Sequence, residues 1–200
     1  MCCRYFIDRE QMELLQQTAG TAAPSVRQCR AGDIRPSEAA PVVCSAAGSP
    51  QLAVLRWGWP GLRNPGSLLI NARAETAGQK ALFARGMRCG RILIPASGFY
   101  EWTAAREKHT FRPAAGPLLQ MAGLYDCFEG EERFVILTTA ATAAVQRVHT
   151  RMPLLLEPAQ AEQWLLDPVQ AAALLQLPPQ QLLEDSCEAE QLSLFQGNAD

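Results

Sequence analysis

The stretch RILIPASGFYEW, Arg91 to Trp102, decides how this chain folds. Isoleucine, leucine and aromatic residues dominate it, the types that suit a pleated, packed strand. Working outward, SLLINARAET (67–76), LLQMAGLYDCF (118–128) and RFVILTTAA (133–141) are β-rich runs of the same kind. Polar or Gly/Pro-containing segments separate them. Upstream, PVVCS (41–45) and LAVLRWGW (52–59) are shorter β-type runs.

Helices are expected at three places. DREQMELLQQTAG (8–20) opens with Asp8 as a cap, carries Met12, Leu14 and Leu15 as an apolar stripe, and stops at Gly20. ETAGQKALFARG (75–86) is the internal candidate. Near the end, Pro158 and Pro168 stand at natural first positions ahead of AQAEQWLL and VQAAALLQL. From Pro178 on, the composition becomes acidic and Gln-rich, as in a flexible tail. The reading is one α+β domain of mainly antiparallel strands over residues 1–177, followed by a tail over 178–200.

A length of 200 residues suits one domain with a sizeable core. No stretch is apolar for long enough to span a bilayer, and the start lacks a signal-peptide pattern, so a cytoplasmic protein, nucleoid-associated in a bacterium, is expected. The seven cysteines are odd in number and scattered, unlike a disulfide framework. With no C-x-x-C pair and two histidines, neither a metal nor a cofactor is expected. Up to Leu156 the chain holds 18 basic residues against 12 acidic ones, whereas the remainder holds 8 acidic residues and no basic ones. A basic body hints at a polyanionic partner, although a solvated face reads the same way.

Several residues could carry chemistry. Cys2 follows the initiator methionine, and removal of Met1 would leave a free α-amine beside its thiol. An aldehyde condenses with such an amine, and the thiol then closes a five-membered thiazolidine. An α-amine with a pKa of about 7.7–8.0, against about 10.4 for lysine, is far more often neutral near pH 7. The plainer alternative is a packed second residue. In INARAET, continued extension would put Asn71, Arg73 and Glu75 on one face, either for a ligand or as an Arg73–Glu75 surface pair. Glu101 lies among Phe99, Tyr100 and Trp102, a setting that raises a carboxyl pKa and suits acid–base work, unless the side chain reaches solvent at an edge. His149 and Arg151 share a face if VHTRMP is extended; a structural histidine is the alternative. His109, in the polar AAREKHTF segment, reads as exposed. Trp57 and Trp59 flank a glycine, as core anchors or as rings that stack on bases.

Taken in order, Cys2 with Arg4, then WGW, NARAET, IPASGFYEW, AGLYD and HTRMP resemble the SRAP family, the SOS response-associated peptidase proteins, over roughly residues 2–166. The resemblance implies an SRAP-like fold, with curved sheets forming a barrel-like core, flanking helices and a positive channel for single-stranded DNA. It implies that the protein senses abasic sites and crosslinks to them through a thiazolidine at Cys2, protecting the lesion during the DNA damage response. Asn71 would orient the amine or opened sugar, Glu101 would act as acid–base, and His149 would assist ring opening. Arg4, Arg73 and Arg151 would hold phosphates, Trp57 would wedge or stack near the lesion, and the loop around Pro36 would line the channel. Cys3 stands where the family usually has glycine, which matters if a positive φ or a close DNA approach is required.

In the tail, QLSLF resembles the peptide with which bacterial DNA-processing proteins dock on the replication sliding clamp, through Gln191, Leu194 and Phe195. The competing readings are a peptidase that processes itself or another protein, and a non-covalent reader of single-stranded nucleic acid. A monomer is expected.

Overall fold

The computed structural model describes residues 2–19, 23–61, 64 and 66–178, together with the backbone of 183–188. Five strands close into a barrel: β3 (Ala39–Ala46), β4 (Ser49–Trp57), β8 (Arg91–Ala96), β11 (Leu119–Phe128) and β12 (Glu131–Ala140). The order runs β11–β8–β3–β4–β12, and the antiparallel β11–β12 hairpin returns to the start. Closure leaves the barrel strands without a bare edge. All pairings in the ring are antiparallel except the short β4–β12 one.

Both faces are buried along β8 and most of β12, which explains their unbroken apolar runs. Ile92, Ile94, Phe134 and Ile136 pack inside the barrel with Trp57, Leu55 and Met121. Their neighbours Leu93, Val135 and Leu137 point outward, under the helices α5 (Pro158–Leu166) and α6 (Pro168–Leu174). Pro158 and Pro168 open those helices as expected, and the Asp167 carboxylate accepts from two backbone N–H groups of α6. Buried Arg91 ties two helix ends together by donating to the carbonyls of Met87, Trp164 and Leu165, placing a cation where helix dipoles end negative.

A second sheet has the order β14–β10–β9–β1–β2, antiparallel throughout. Its strands are β1 (Tyr5–Ile7), β2 (Gly32–Ile34), β9 (Gly98–Trp102), β10 (Lys108–Pro113) and β14 (Leu183–Glu188). The stretch Arg91–Trp102 therefore serves both sheets, as β8 in the barrel and β9 here. Gly98 is required at the crossing, because a Cβ there would lie 2.5 Å from the Phe111 carbonyl and 2.6 Å from the Phe6 ring. Helix α1 (Arg9–Ala19) follows β1. The Asp8 carboxylate, expected as its cap, accepts from Arg112.

Strand β14 corrects the tail reading. Residues 183–188 lie in the segment expected to be flexible, yet they pair with the whole of β10, from Pro113↔Leu183 to Lys108↔Glu188. Backbone hydrogen bonding, not apolar patterning, places this strand. The internal helix is also broken: α2 (Ala74–Ala77) ends at Gly78, and a 3-10 turn at Ala81–Phe83 precedes α3 (Ala84–Cys89). The remaining elements are β5 (Trp59–Pro60) paired with β6 (Leu68–Leu69), β7 (Asn71–Arg73), α4 (Ala143–Gln146) and β13 (Arg151–Pro153). Strand β12 gathers these last pieces. It pairs with β7 through Ile136↔Asn71 and with β13 through Ala140↔Arg151, bringing residues 71 and 151 to one end of the barrel.

Candidate functional site

The two sheets meet at Cys2. Tyr5 pairs with Phe99, and the Tyr100 N–H donates to the Arg4 carbonyl at 3.0 Å, so the residues before β1 run back along β9 toward Glu101. Cys2 is 0 % exposed and belongs to the cluster that fills the barrel. Its carbonyl accepts from Asn71 Nδ2 at 2.8 Å. Its sulfur lies 3.7 Å from the Arg4 carbonyl, a long contact for a weak donor. Burial pushes the Cys2 thiol far up, and the negative charge of Glu101 adds to this. The resting sulfur is therefore a protonated thiol, not a thiolate.

Asn71 opens β7 and is 7 % exposed. Its amide nitrogen is used by Cys2, while Oδ1 has no hydrogen-bond partner among the described residues. Glu101 is 3 % exposed on β9, opposite His109 of β10. Burial raises its carboxyl, and nearby positive charge, His149 included, works in the other direction. His149 follows α4, its backbone N–H donating to the Val145 carbonyl. Its Nδ1 lies 3.0 Å from the Arg151 backbone N and 3.1 Å from the Arg151 carbonyl oxygen. A ring with its proton on Nε2 accepts that N–H at Nδ1, and a ring with its proton on Nδ1 donates to the carbonyl, so this backbone unit sets which tautomer is held.

The fold brings Cys2, Asn71, Glu101 and His149 together and distributes the other expected residues differently. Arg4 is partly exposed beside Trp102, 5.2 Å from the ring centroid, and 3.6 Å from Asp33. Arg73 is exposed. Pro36 is half-buried in the turn between β2 and β3. Arg151 is paired within the fold: Nη1 and Nη2 hold both oxygens of Glu75 at 2.6 and 2.9 Å, and Nη2 also holds the Thr138 carbonyl. The expected Asn71–Arg73–Glu75 face is overturned too, because the chain turns into α2 after Arg73 and Glu75 faces Arg151.

Trp57 is likewise corrected. The ring expected near a lesion is 0 % exposed, stacked parallel to Phe134 at 6.2 Å and donating to the Ile70 carbonyl at 2.9 Å. Trp59 is also buried and donates to the Arg133 carbonyl. Between them Gly58 adopts φ +108°, which turns both indoles into the core from a two-residue step. Cys3 is exposed and is not among the described residues with positive φ, so it fits its position without backbone strain. Gln191, Leu194 and Phe195 lie outside the described residues.

Three residues at the site were not singled out from the sequence in these roles. Tyr5 is fully buried beside Trp57, and its hydroxyl has no hydrogen-bond partner among the described residues. His109 is a half-buried strand residue across from Glu101, not an exposed loop residue. Glu75 holds Arg151. Alternation along YFI could have flagged Tyr5, but nothing local points from Glu75 to a residue 76 positions away.

A model of the family described as SOS response associated peptidase (SRAP) matches residues 1–194. The chain belongs to the SRAP family. One SRAP-type relative, the abasic site processing protein YoqW of Bacillus subtilis (strain 168), is 29 % identical over 194 residues, covering 88 % of this chain and 87 % of its own. The abasic site processing protein YedK of Escherichia coli (strain K12) is 35 % identical over 104 residues, 48 % of this chain and 47 % of its own. In fold, the chain is similar to a crystal structure of a protein from Bacteroides thetaiotaomicron, with a TM-score of 0.76 at 20 % identity over 94 % of this chain and 93 % of the other. The fold expected of an SRAP protein, a barrel core of mostly antiparallel strands with flanking helices, is the fold observed. Among the described residues no helix is long and apolar enough to cross a membrane.

Proposed function

We propose that this SRAP protein processes abasic sites in single-stranded DNA by forming a covalent thiazolidine at Cys2. The observation that carries the proposal is the setting of Cys2, with its backbone held by Asn71 and its buried thiol beside a buried carboxyl, Glu101. Names of relatives such as YoqW and YedK, abasic site processing proteins, support the substrate.

The chemistry starts once Met1 is removed and Cys2 carries a free amine. The amine adds to the aldehyde carbon of the ring-opened sugar, and loss of one water leaves an imine. The S–H then adds across C=N: the C–S bond forms, and the thiol proton ends on nitrogen. No electrons are gained or lost, and one water leaves overall. A thiol with a raised pKa suits this order, since sulfur attacks second and surrenders its proton in the same event. Glu101, kept protonated to higher pH by burial, donates a proton to the departing hydroxyl and returns to carry the sulfur proton. Nε2–H of His149 donates to the sugar oxygen as the ring opens. Asn71 Oδ1, with no partner among the described residues, accepts from the terminal amine. Arg4 and Arg73 hold phosphates and set the register of the strand without reading bases, and the turn at Pro36 borders its path.

The test is a denaturing gel after incubation with single-stranded DNA carrying one abasic site. A shifted band that disappears in Cys2→Ala, or when Met1 is retained, is expected. Absence of the band with intact aldehyde would refute the proposal and leave non-covalent binding. Cleavage of a polypeptide that depends on Cys2 would instead support a peptidase. The protective role in the DNA damage response is part of the proposal, as is docking of Gln191–Phe195 on the replication clamp. Deleting 191–195 should abolish clamp binding and leave crosslinking intact.

A further inference from the structure

We infer that Glu75 is a positioning residue for His149, acting through Arg151. The inference rests on the proposed role of His149, and its test separates the two.

The chain of contacts is short. Glu75 holds the Arg151 guanidinium with both oxygens, at 2.6 and 2.9 Å. The same Nη2 also donates to Thr138, whose carbonyl accepts at 2.5 Å and whose hydroxyl lies at 3.3 Å. A bidentate carboxylate together with this carbonyl restricts the orientation of the guanidinium plane. The same residue's backbone N–H and carbonyl oxygen are the two groups facing His149 Nδ1, at 3.0 and 3.1 Å. A shift of the Arg151 backbone would therefore move the partner that sets the tautomer, and with it the direction of Nε2–H.

Glu75 is also well placed to couple the two halves of the site. It sits in α2, which follows directly on the β7 strand that Asn71 opens. Through Arg151 it pins the segment carrying His149, which reaches the site from the other side of β12. The two groups that would touch the sugar are thus tied across β12 by one ion pair. The groups around that pair are few: Arg151 and Arg73 both hold the Glu75 carboxyl below the ordinary carboxylate range, with Arg151 the stronger influence.

A purely structural ion pair is the alternative, because the His149 backbone is already held by Val145 and Thr150 is held by Ala141. Three measurements on the full-length protein, in wild type, Glu75→Gln and Glu75→Asp, decide between them. The first is the single-turnover crosslinking rate. The second is affinity for an oligonucleotide with a tetrahydrofuran lesion, which cannot react. The third is the 15N shift pair of His149, which reports its tautomer. We expect Glu75→Gln to slow crosslinking by about ten- to a hundred-fold with affinity for the inert oligonucleotide within twofold, and the His149 signals to move from Nε2–H toward a mixture. Glu75→Asp, which keeps the charge, should recover part of both. An unchanged rate and tautomer in folded Glu75→Gln would overturn the inference, as would a slower rate with an unchanged tautomer. Should wild type fail to crosslink at all, the function proposal falls, while the tautomer shift still tests the positioning role.

Discussion

Arg4, whose carbonyl lies near the Cys2 sulfur, and Arg151, whose backbone meets His149, are treated by the molecule in opposite ways. Arg4, beside β9, is a third exposed, rests on Trp102, and lies 3.6 Å from Asp33. Arg151, on β13, has 18 % of its side chain exposed and is gripped by Glu75 and Thr138. A loosely held cation with exposed surface can exchange its partner for a phosphate at little cost. A cation with a bidentate carboxylate cannot, because its release would strand a half-buried charge. Arg4 is thus free to change partners, whereas Arg151 fixes the segments it joins.

Mutations can break that contrast, and the largest effect is expected at Glu101. Glu101→Gln should lower the crosslinking rate by about 10²–10⁴-fold. In wild type the rate should rise with pH as the terminal amine loses its proton and fall as the raised Glu101 carboxyl ionises. The variant should lose the falling limb in a stopped-time gel series; a retained limb would assign the acid to another group. In the barrel core, Trp57→Ala should cost about 3–5 kcal/mol in denaturant unfolding without altering the salt dependence of DNA binding. A changed salt dependence would return Trp57 to the ligand.

Smaller is the expected cost of Arg151→Ala, about 1–2 kcal/mol, since the Glu75 partner is more than a third exposed. The sign with pH is fixed by Glu75, whose carboxyl is lowered in the fold. Its contribution is complete above the ordinary carboxylate pKa of about 4.3 and is lost as pH falls through the lower folded value. Melting curves of variant and wild type should converge on acidification. Smallest is Arg4→Ala: stability within about 0.5 kcal/mol, and a salt slope for single-stranded DNA reduced by about 0.7. Equal stability losses at Arg4 and Arg151 would erase the distinction between the two arginines.

Residues marked by their immediate neighbours were legible in the sequence, and those defined by distant partners were not. Glu101 announced itself because a carboxylate amid Phe99, Tyr100 and Trp102 is conspicuous in any fold. The apolar run Ile92, Leu93 and Ile94 marked a packed strand. By contrast, Arg151 read as a phosphate ligand and Glu75 as one face with Asn71 and Arg73, since their pairing depends on β12 bringing β7 and β13 together. Trp57 was misread because the WGW step leaves the direction of its rings to Gly58 and its positive φ. Strand β14 was missed because LEDSCE lacks an apolar face; its place comes from the open edge of β10.

The shared stretch through Ser97 and Gly98 has a consequence for how the molecule comes apart. Because β8 and β9 are one continuous run of chain, with Ser97 Oγ accepting from the Asp8 N–H and the Ser97 N–H donating to the Phe6 carbonyl, neither sheet can melt without pulling on the other. Amide hydrogens of Phe99 and Leu93 should exchange with solvent at matching free energies, as members of one cooperative unit. Cys2, anchored to both sheets, would then be assembled or dispersed in the same event as the entire fold.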